Sequence, residues 1–191
     1  NNLSVYFCRM DINGTNEELF IFKQIGNAAE ESGTPAYIIG GFVRDKILNR
    51  PTKDADIVCE GDGIKLAEKT AGKFSPKPQV NLFRNFGTAQ IKIRLTHSSL
   101  PSFDRLRMTG EMTFEIEFVG SRKESYNRDS RKPDVLPGTI DEDRMRRDFT
   151  INTLAISLNK NDFGKLIDPL NGLADIENKI IKTPLPPDQT F

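Results

Sequence analysis

The sequence predicts an α+β fold, with a mixed but mainly antiparallel sheet and helices packed on one side. Segments 87–95 and 113–119 alternate apolar and polar residues, which is typical of antiparallel strands with one solvent-exposed face. Two capping boxes, at 15–18 and 139–142, mark the starts of helices. Segment 36–58 indicates a strand, a double-glycine turn, a helix and a second strand.

The remaining elements follow from local patterns of apolar residues and turn residues. The amphipathic helix that starts after Thr15 should stop at Gly33, and a second helix should run from the turn at 60–63 to near Gly72. The predicted strands are 36–39, 54–58, 80–83, 87–95, 113–119, 153–158 and 164–167, and further helices are predicted after Gly41, at 143–152 and at 174–179.

Composition limits the classes of function. The chain has 191 residues, 37% of them hydrophobic, which is enough for one globular domain with a core. Lys and Arg number 27 and Asp and Glu also number 27, so nucleic acid could be bound only through a local patch. No apolar run reaches the roughly 18 residues that a membrane span requires. We therefore expect a cytoplasmic protein without a membrane partner.

Cysteine and histidine usage argues against metal sites of the zinc type. Cys8 and Cys59 are far apart, and Cys59 ends a predicted strand, which favours a buried free thiol. The only histidine, His97, lies in a predicted loop at 96–110 without a Cys or His partner at ligand spacing. Zinc chemistry and His-based acid–base catalysis are therefore disfavoured, and the purpose of this loop stays open.

A strand, a double-glycine turn and a helix meet at Gly40 and Gly41. The apolar run 36–39 predicts a buried strand, the glycines break it, and apolar residues at helical spacing follow. Such a turn exposes backbone N–H groups to an anion, and a phosphate is the natural candidate. Two glycines alone would be equally compatible with an ordinary turn.

A pair of acidic residues follows this turn. Asp54 and Asp56 are two positions apart on a predicted strand, so both side chains should project from the same face. Carboxylate oxygens suit Mg²⁺, which takes one or two protein carboxylates and completes its coordination with water and substrate phosphates. A single D-x-D pair is more often a solvated strand edge, but the glycine turn upstream favours a metal site.

One local basic excess occurs at 122–132, with Tyr126 among the cations. Arg128, Arg131 and Lys132 could contact the phosphate backbone of RNA. A solvated loop is an equally good interpretation of such a run.

The segment after the second capping box carries a further polar cluster. If 143–152 is helical, Arg147, Asp148 and Asn152 share one face with Arg144. A surface helix with salt bridges is the alternative interpretation.

Three ordered motifs resemble one known family. Segment 40–58, the run Arg-Arg-Asp-Phe-Thr-Ile-Asn at 146–152 and the segment 168–176 are similar to class II tRNA nucleotidyltransferases (CCA-adding enzymes) and bacterial poly(A) polymerases. These proteins belong to the DNA polymerase beta-like nucleotidyltransferase superfamily. The similarity extends over about 17–183.

The resemblance implies a catalytic head that transfers nucleotides from CTP or ATP to the 3′ end of tRNA with two Mg²⁺ ions. The catalytic and metal-binding carboxylates would be Asp54, Asp56 and Glu115, with Glu117 as the alternative third carboxylate. The residues implied in nucleotide binding are Gly40, Gly41, Arg44, Arg147, Asp148 and Asn152. Asp148 is the candidate for the ribose 2′-hydroxyl, and Asp45 should orient Arg44.

The resemblance also predicts how the chain is organised. We expect an N-terminal arm at 1–15, the catalytic head at 16–183 and the start of a linker to a helical body at 184–191. Because the family's base-selecting motif lies after this region, CCA-, CC- and A-adding enzymes and poly(A) polymerase all remain open. A non-catalytic module that binds nucleotides or RNA is the alternative from another class. Oligomeric state is not indicated.

Overall fold

The computed structural model describes residues 12–52, 54–96, 112–125 and 134–190. Its strands are β1 (Ala36–Ile39), β2 (Asp54–Cys59), β3 (Val80–Phe83), β4 (Thr88–Leu95), β5 (Met112–Gly120), β6 (Arg122–Ser125), β7 (Asp134–Pro137), β8 (Ala155–Ser157) and β9 (Leu166–Ile167). Its helices are α1 (Asn16–Ser32), α2 (Gly41–Ile47), α3 (Gly63–Ala71), α4 (Ile140–Met145), α5 (Gly172–Glu177) and α6 (Pro187–Thr190).

Within the described ranges, seven strands form one sheet in the order β3-β4-β5-β2-β1-β8-β9, and β6 pairs with β7 in a separate hairpin. β2 and β5 run parallel, whereas the other neighbours in the large sheet are antiparallel. The predicted mixed, mainly antiparallel α+β architecture is thus confirmed. The parallel pair lies in the middle of the sheet and contains both acidic strands.

The helix boundaries follow the capping residues. Thr15 and Glu18 form the complete capping box at the start of α1, and Gly33 ends the helix in the left-handed conformation with φ 61°. Asp62 accepts hydrogen bonds from the first backbone N–H groups of α3. Thr139 and Glu142 form the second capping box, at the start of α4.

The main core lies between one face of the sheet and the helices α1, α2 and α3. Phe22 of α1, Phe42 of α2 and Phe114 of β5 meet edge to face, with ring centroids 5.4 to 6.0 Å apart. This aromatic cluster fixes the helix after the glycine turn against the centre of the sheet.

Helices were predicted on one side of the sheet, and this holds for α1 and α3 but not for α4. Ile140 of α4 packs on the opposite face, against Ile39, Val58 and Ala155. The central strands carry apolar residues on both faces next to α4, so α4 is needed to bury the apolar residues of the second face. At the other end of the same face, Asp54 and Asp56 are exposed.

Two local predictions differ from the structure. The helix predicted at 143–152 ends at Met145 and is followed by a separate 3₁₀ turn at Thr150–Asn152, because Phe149 is extended with φ −132° and ψ 149°. The first part of the basic run, predicted as a loop, is strand β6. The segment from 184 onward contains the short helix α6, and its assignment as the start of a linker stays a prediction.

Several predicted features lie outside the described residues. They are the arm up to residue 11, His97 with most of its loop, and the RNA-binding candidates Arg128, Arg131 and Lys132. Within the described part of the chain, no helix is both long enough and apolar enough to cross a membrane.

Candidate active site

The site is built around Gly40, the residue between β1 and α2. Its backbone has φ 83° and ψ −139°, a conformation that is open to glycine and strained for other residues. A Cβ atom at this position would lie 2.9 Å from Nη1 of Arg147 and 3.6 Å from Oδ2 of Asp56. The glycine turn, the arginine and one carboxylate therefore converge on a single point, although they come from three separate segments.

Strand β2 presents its two carboxylates on one face, as predicted. Asp54 and Asp56 are exposed, whereas Ala55 between them is only 1% exposed and faces the main core. The pKa of Asp56 is raised, first because surrounding protein displaces water from its carboxylate, and then because Glu117 and Asp54 add negative charge. The guanidinium of Arg147 opposes this rise. A cation beside Asp56 would relieve the repulsion.

The two candidate third carboxylates lie on the neighbouring strand and have different partners. In the parallel register, Asp54 pairs with Glu115 and Asp56 pairs with Glu117. Glu115 is bound by a cation of the protein itself, since Nζ of Lys92 lies 2.5 Å from its Oε1. Glu117 is exposed and contributes to the raised pKa of Asp56. The geometry therefore favours Glu117 over Glu115, the residue that the sequence favoured.

Arg44, on α2, is held from two sides. Its Nε and Nη2 donate hydrogen bonds to the carboxylate of Asp45, at 2.9 and 3.1 Å. Its Nη1 donates to Oδ1 of Asn152 across 2.7 Å. Asp45 thus orients Arg44 as expected, and Asn152 links α2 to the segment that follows α4.

Asn152 also connects to Asp148. Its Nδ2 donates to Oδ1 of Asp148 across 2.8 Å, and the same oxygen accepts the backbone N–H of Phe149 at 2.8 Å. Asp148 therefore stabilises the extended residue that ends the helical segment. Arg147, Asp148 and Asn152 lie near one another through these turns and not, as predicted, on one helical face.

The role of Asp143 was not predicted from the sequence. This residue is 7% exposed, and its carboxylate accepts the backbone N–H of Arg122 at 3.2 Å and Nη2 of Arg147 at 3.4 Å. It thereby holds Arg147 close to Gly40. The four-residue spacing between Asp143 and Arg147 was the available signal.

Two arginines of segment 144–147 carry buried N–H groups without a hydrogen-bond partner among the described residues. They are Nε of Arg147 and both Nε and Nη2 of Arg144. Arg144 is 2% exposed, and burial lowers its pKa although Asp141 lies 2.7 Å from its Nη1. Buried donors of this kind are ordinarily satisfied by a bound water or ion.

In the described residues, no three acidic, Cys or His side chains form a ready-made metal site. The donor set nevertheless fits Mg²⁺, which commonly binds one or two protein carboxylates and takes its remaining ligands from water and phosphates. The carboxylates of Asp54 and Asp56 meet that requirement.

A family model described as the Poly A polymerase head domain matches residues 36–182. The chain belongs to this family. The match extends from the first residue of β1 to beyond α5, so it includes the glycine turn, both acidic strands and the segment from Arg147 to Asn152.

Relatives and solved structures agree with this assignment. The A-adding tRNA nucleotidyltransferase of Aquifex aeolicus (strain VF5) is 40% identical over 147 residues, which cover 77% of this chain and 15% of that protein. A CCA-adding enzyme in apo form II aligns with a TM-score of 0.71 and 31% identity, covering 90% of this chain and 36% of that one. A tRNA nucleotidyltransferase complexed with a primer tRNA and an incoming ATP analog aligns with a TM-score of 0.63 and 36% identity, covering 84% and 39%. The chain thus spans well under half the length of these proteins.

Proposed function

We propose that this chain is the catalytic head of a tRNA nucleotidyltransferase, which adds nucleotides from ATP or CTP to the 3′ end of tRNA and releases pyrophosphate. The convergence of Gly40, Oδ2 of Asp56 and Nη1 of Arg147 is the observation that carries this proposal. It brings together a surface open to phosphate, an acidic ligand for a cation and a fixed positive charge. The names of the relatives supply the acceptor, tRNA.

The glycine turn is suited to the triphosphate because it has no side chains in the way. A phosphate at Gly40 would meet the guanidinium of Arg147, whose Nε has no hydrogen-bond partner in the described part of the chain. Arg44 is pre-oriented by Asp45 and Asn152 and can add a charge-assisted hydrogen bond. Asp148, which is exposed, is the group available to the ribose hydroxyls.

Asp54, Asp56 and Glu117 are the residues that would hold Mg²⁺ here. When bound, two such ions would lower the pKa of the attacking 3′-hydroxyl and neutralise charge on the leaving pyrophosphate. Because the hydroxyl is activated in this way, the head needs no histidine as general base. Glu115 has a different role, since its ion pair with Lys92 joins β5 to β4.

Incorporation of labelled nucleotides tests the proposal. The chain is incubated with Mg²⁺, labelled ATP or CTP and tRNA that lacks its 3′ end, with Asp54→Ala as the inactive control. Incorporation of either nucleotide by the unchanged chain supports the proposal. In the full-length protein, addition of C and A residues in order indicates CCA addition, and addition of a single A or of two C residues indicates a partial activity. Absence of incorporation by the unchanged chain would contradict the proposal.

Poly(A) polymerase is the second candidate, because the matched family model carries that name. It uses the same head chemistry and differs in the length and composition of the product. A long A tail in the same assay would select it.

We further propose that this head binds nucleoside triphosphates without choosing between bases. The groups assigned above to the nucleotide are the glycine turn, two arginines and Asp148, and their proposed partners are phosphates and ribose. None of these described groups is assigned to a base. Titration with ATP, CTP, GTP and UTP should give similar affinities. A strong preference for one base would contradict this expectation.

A further inference from the structure

The geometry of phosphoryl transfer determines where the acceptor strand must lie, if the proposed function holds. The attacking oxygen and the leaving oxygen stand roughly in line on opposite sides of the transferred phosphorus. Gly40 and Arg147 hold the leaving end next to β1. The 3′-hydroxyl must therefore approach from the other side of Asp54 and Asp56, over β5, β4 and β3 in the sheet order.

The strand register shows which residues face that side. Glu117 pairs with Gln90 on β4, and Gln90 pairs with Asn81 on β3, so all three share the face of Asp56. Phe83 is two residues after Asn81 and lies on the same face, at the edge strand.

Two aromatic rings are exposed at this edge. Phe83 is 45% exposed, and Phe86, in the turn that leads to β4, is 70% exposed. Arg122 holds that turn in place by donating a hydrogen bond from Nη2 to the carbonyl oxygen of Phe86. Exposed aromatic side chains on a fixed turn favour stacking against a planar partner.

Arg84 lies between the two rings in sequence, and two further cations, Lys92 and Arg94, lie further along the same face of β4. Arg84 and Arg94 are exposed, and neither has an ion pair within the described ranges of the chain. Lys92 is 51% exposed and is held beside the acidic strand by Glu115. The cations thus extend from the rings along β4 to Lys92, which is level with Asp54 in the sheet. Such a line of positive charge suits the phosphates of a single strand whose bases stack on the rings.

We propose that the β3–β4 platform, formed by Phe83, Arg84, Phe86, Lys92 and Arg94, binds the single-stranded 3′ end of the acceptor RNA. The rings stack on bases and the cations contact phosphates. This arrangement would present the terminal hydroxyl to the carboxylates of β2 from the side opposite the triphosphate. The platform would bind RNA with little dependence on base sequence, since stacking and phosphate contacts do not read base edges.

Fluorescence anisotropy of a labelled single-stranded RNA of about eight nucleotides tests the proposal, because such a probe fits the length that one aromatic platform spans. The double variant Phe83→Ala/Phe86→Ala should weaken RNA binding by about tenfold or more. The double variant Arg84→Gln/Arg94→Gln should make RNA binding less dependent on salt. The slope of the logarithm of the binding constant against the logarithm of salt concentration should become shallower by about 0.7 for each lost phosphate contact.

Matched controls lie elsewhere on the surface. Ile181→Ala removes another apolar side chain, which is 65% exposed, and Lys65→Gln removes a cation on α3 whose side chain is 82% exposed. Neither should change RNA affinity. None of the four variants should change the affinity for ATP, because the triphosphate site lies across β2.

Equal RNA affinity in the platform variants and the controls would overturn the inference. So would a platform substitution that converts a dimer to a monomer in size-exclusion chromatography, since a second copy would then cover the rings. Failure of the proposed function is a separate result: the unchanged chain would incorporate no nucleotide, whatever its affinity for RNA.

Discussion

Nζ of Lys46, on α2, lies 2.5 Å from Oε1 of Glu18, on α1, and the Glu18 side chain is only 1% exposed. The other oxygen of Glu18 accepts the backbone N–H of Thr15 at 2.8 Å, which completes the capping box. Lys46 also lies over the ring of Phe42, 5.4 Å from its centroid. One buried carboxylate therefore both starts α1 and fixes α2, the helix that carries Arg44.

Removing the cation of this pair should destabilise the protein more than removing both charges. Lys46→Met leaves a buried carboxylate without its partner and should lower the free energy of unfolding by about 3 kcal/mol. Glu18→Gln can keep the capping contact and should cost less. The double variant Lys46→Met/Glu18→Gln should recover much of the loss, and urea unfolding of all four proteins measures the coupling. Strict additivity would show that the pair contributes little.

Gly40→Ala and Gly33→Ala form a matched pair that separates backbone strain from contact. Both glycines have positive φ, so each substitution should cost about 1 kcal/mol or more of stability. A Cβ at Gly33 has nothing within 4 Å, whereas a Cβ at Gly40 lies 2.9 Å from Nη1 of Arg147. We therefore expect Gly40→Ala alone to abolish binding of ATP in isothermal titration. Normal binding by Gly40→Ala would contradict the position assigned to the triphosphate.

Glu117→Gln and Glu115→Gln distinguish the two candidates for the third carboxylate. Glu117 lies beside Asp56 in the register, so Glu117→Gln should lower the rate of nucleotide incorporation by about a hundredfold or more and raise the Mg²⁺ concentration needed. Glu115→Gln breaks only the exposed ion pair with Lys92, which contributes little, so its rate should change by less than about fivefold. Single-turnover incorporation at several Mg²⁺ concentrations measures both effects. The reverse order of effects would restore Glu115 to the role that the sequence suggested.

The features that local sequence predicted well are those that depend on neighbouring residues. The helix α1 begins at the capping box of Thr15 and ends at Gly33, because hydrogen bonds to the first and last turns decide both boundaries. Likewise, alternation alone places Asp54 and Asp56 on one face of β2.

The features that the sequence did not determine depend on residues far apart in the chain. Alternation puts Glu115 and Glu117 on the same face, but only the pairing of β5 with β2, about 60 residues earlier, decides which one adjoins Asp56. The contact between Arg147 and Gly40 has the same origin. Helical spacing also could not reveal that Asp148 binds the backbone of Phe149 and ends the helical segment.

Cys59, on β2, should be unreactive in the folded protein and should make stability fall at alkaline pH. Its side chain is 0% exposed, and burial, with the charge of Asp62 adding to it, raises its pKa from 9.0 to about 12. Since the raised value belongs to the folded state, the buried neutral thiol stabilises the fold fully below about pH 9, and this contribution is lost as pH rises from about 9 to about 12.

Thiol labelling and unfolding measurements in a Cys8→Ser background test both expectations. Because Cys59 is buried, its labelling by a thiol reagent should follow the rate at which the folded protein opens and should accelerate with urea. Cys8→Ser/Cys59→Ala is the matched control, because it keeps every other titratable group of the Cys8→Ser protein. The difference in unfolding free energy between the two should shift by about 1.4 kcal/mol for each pH unit in that window, and a constant difference would show that Cys59 does not titrate on unfolding.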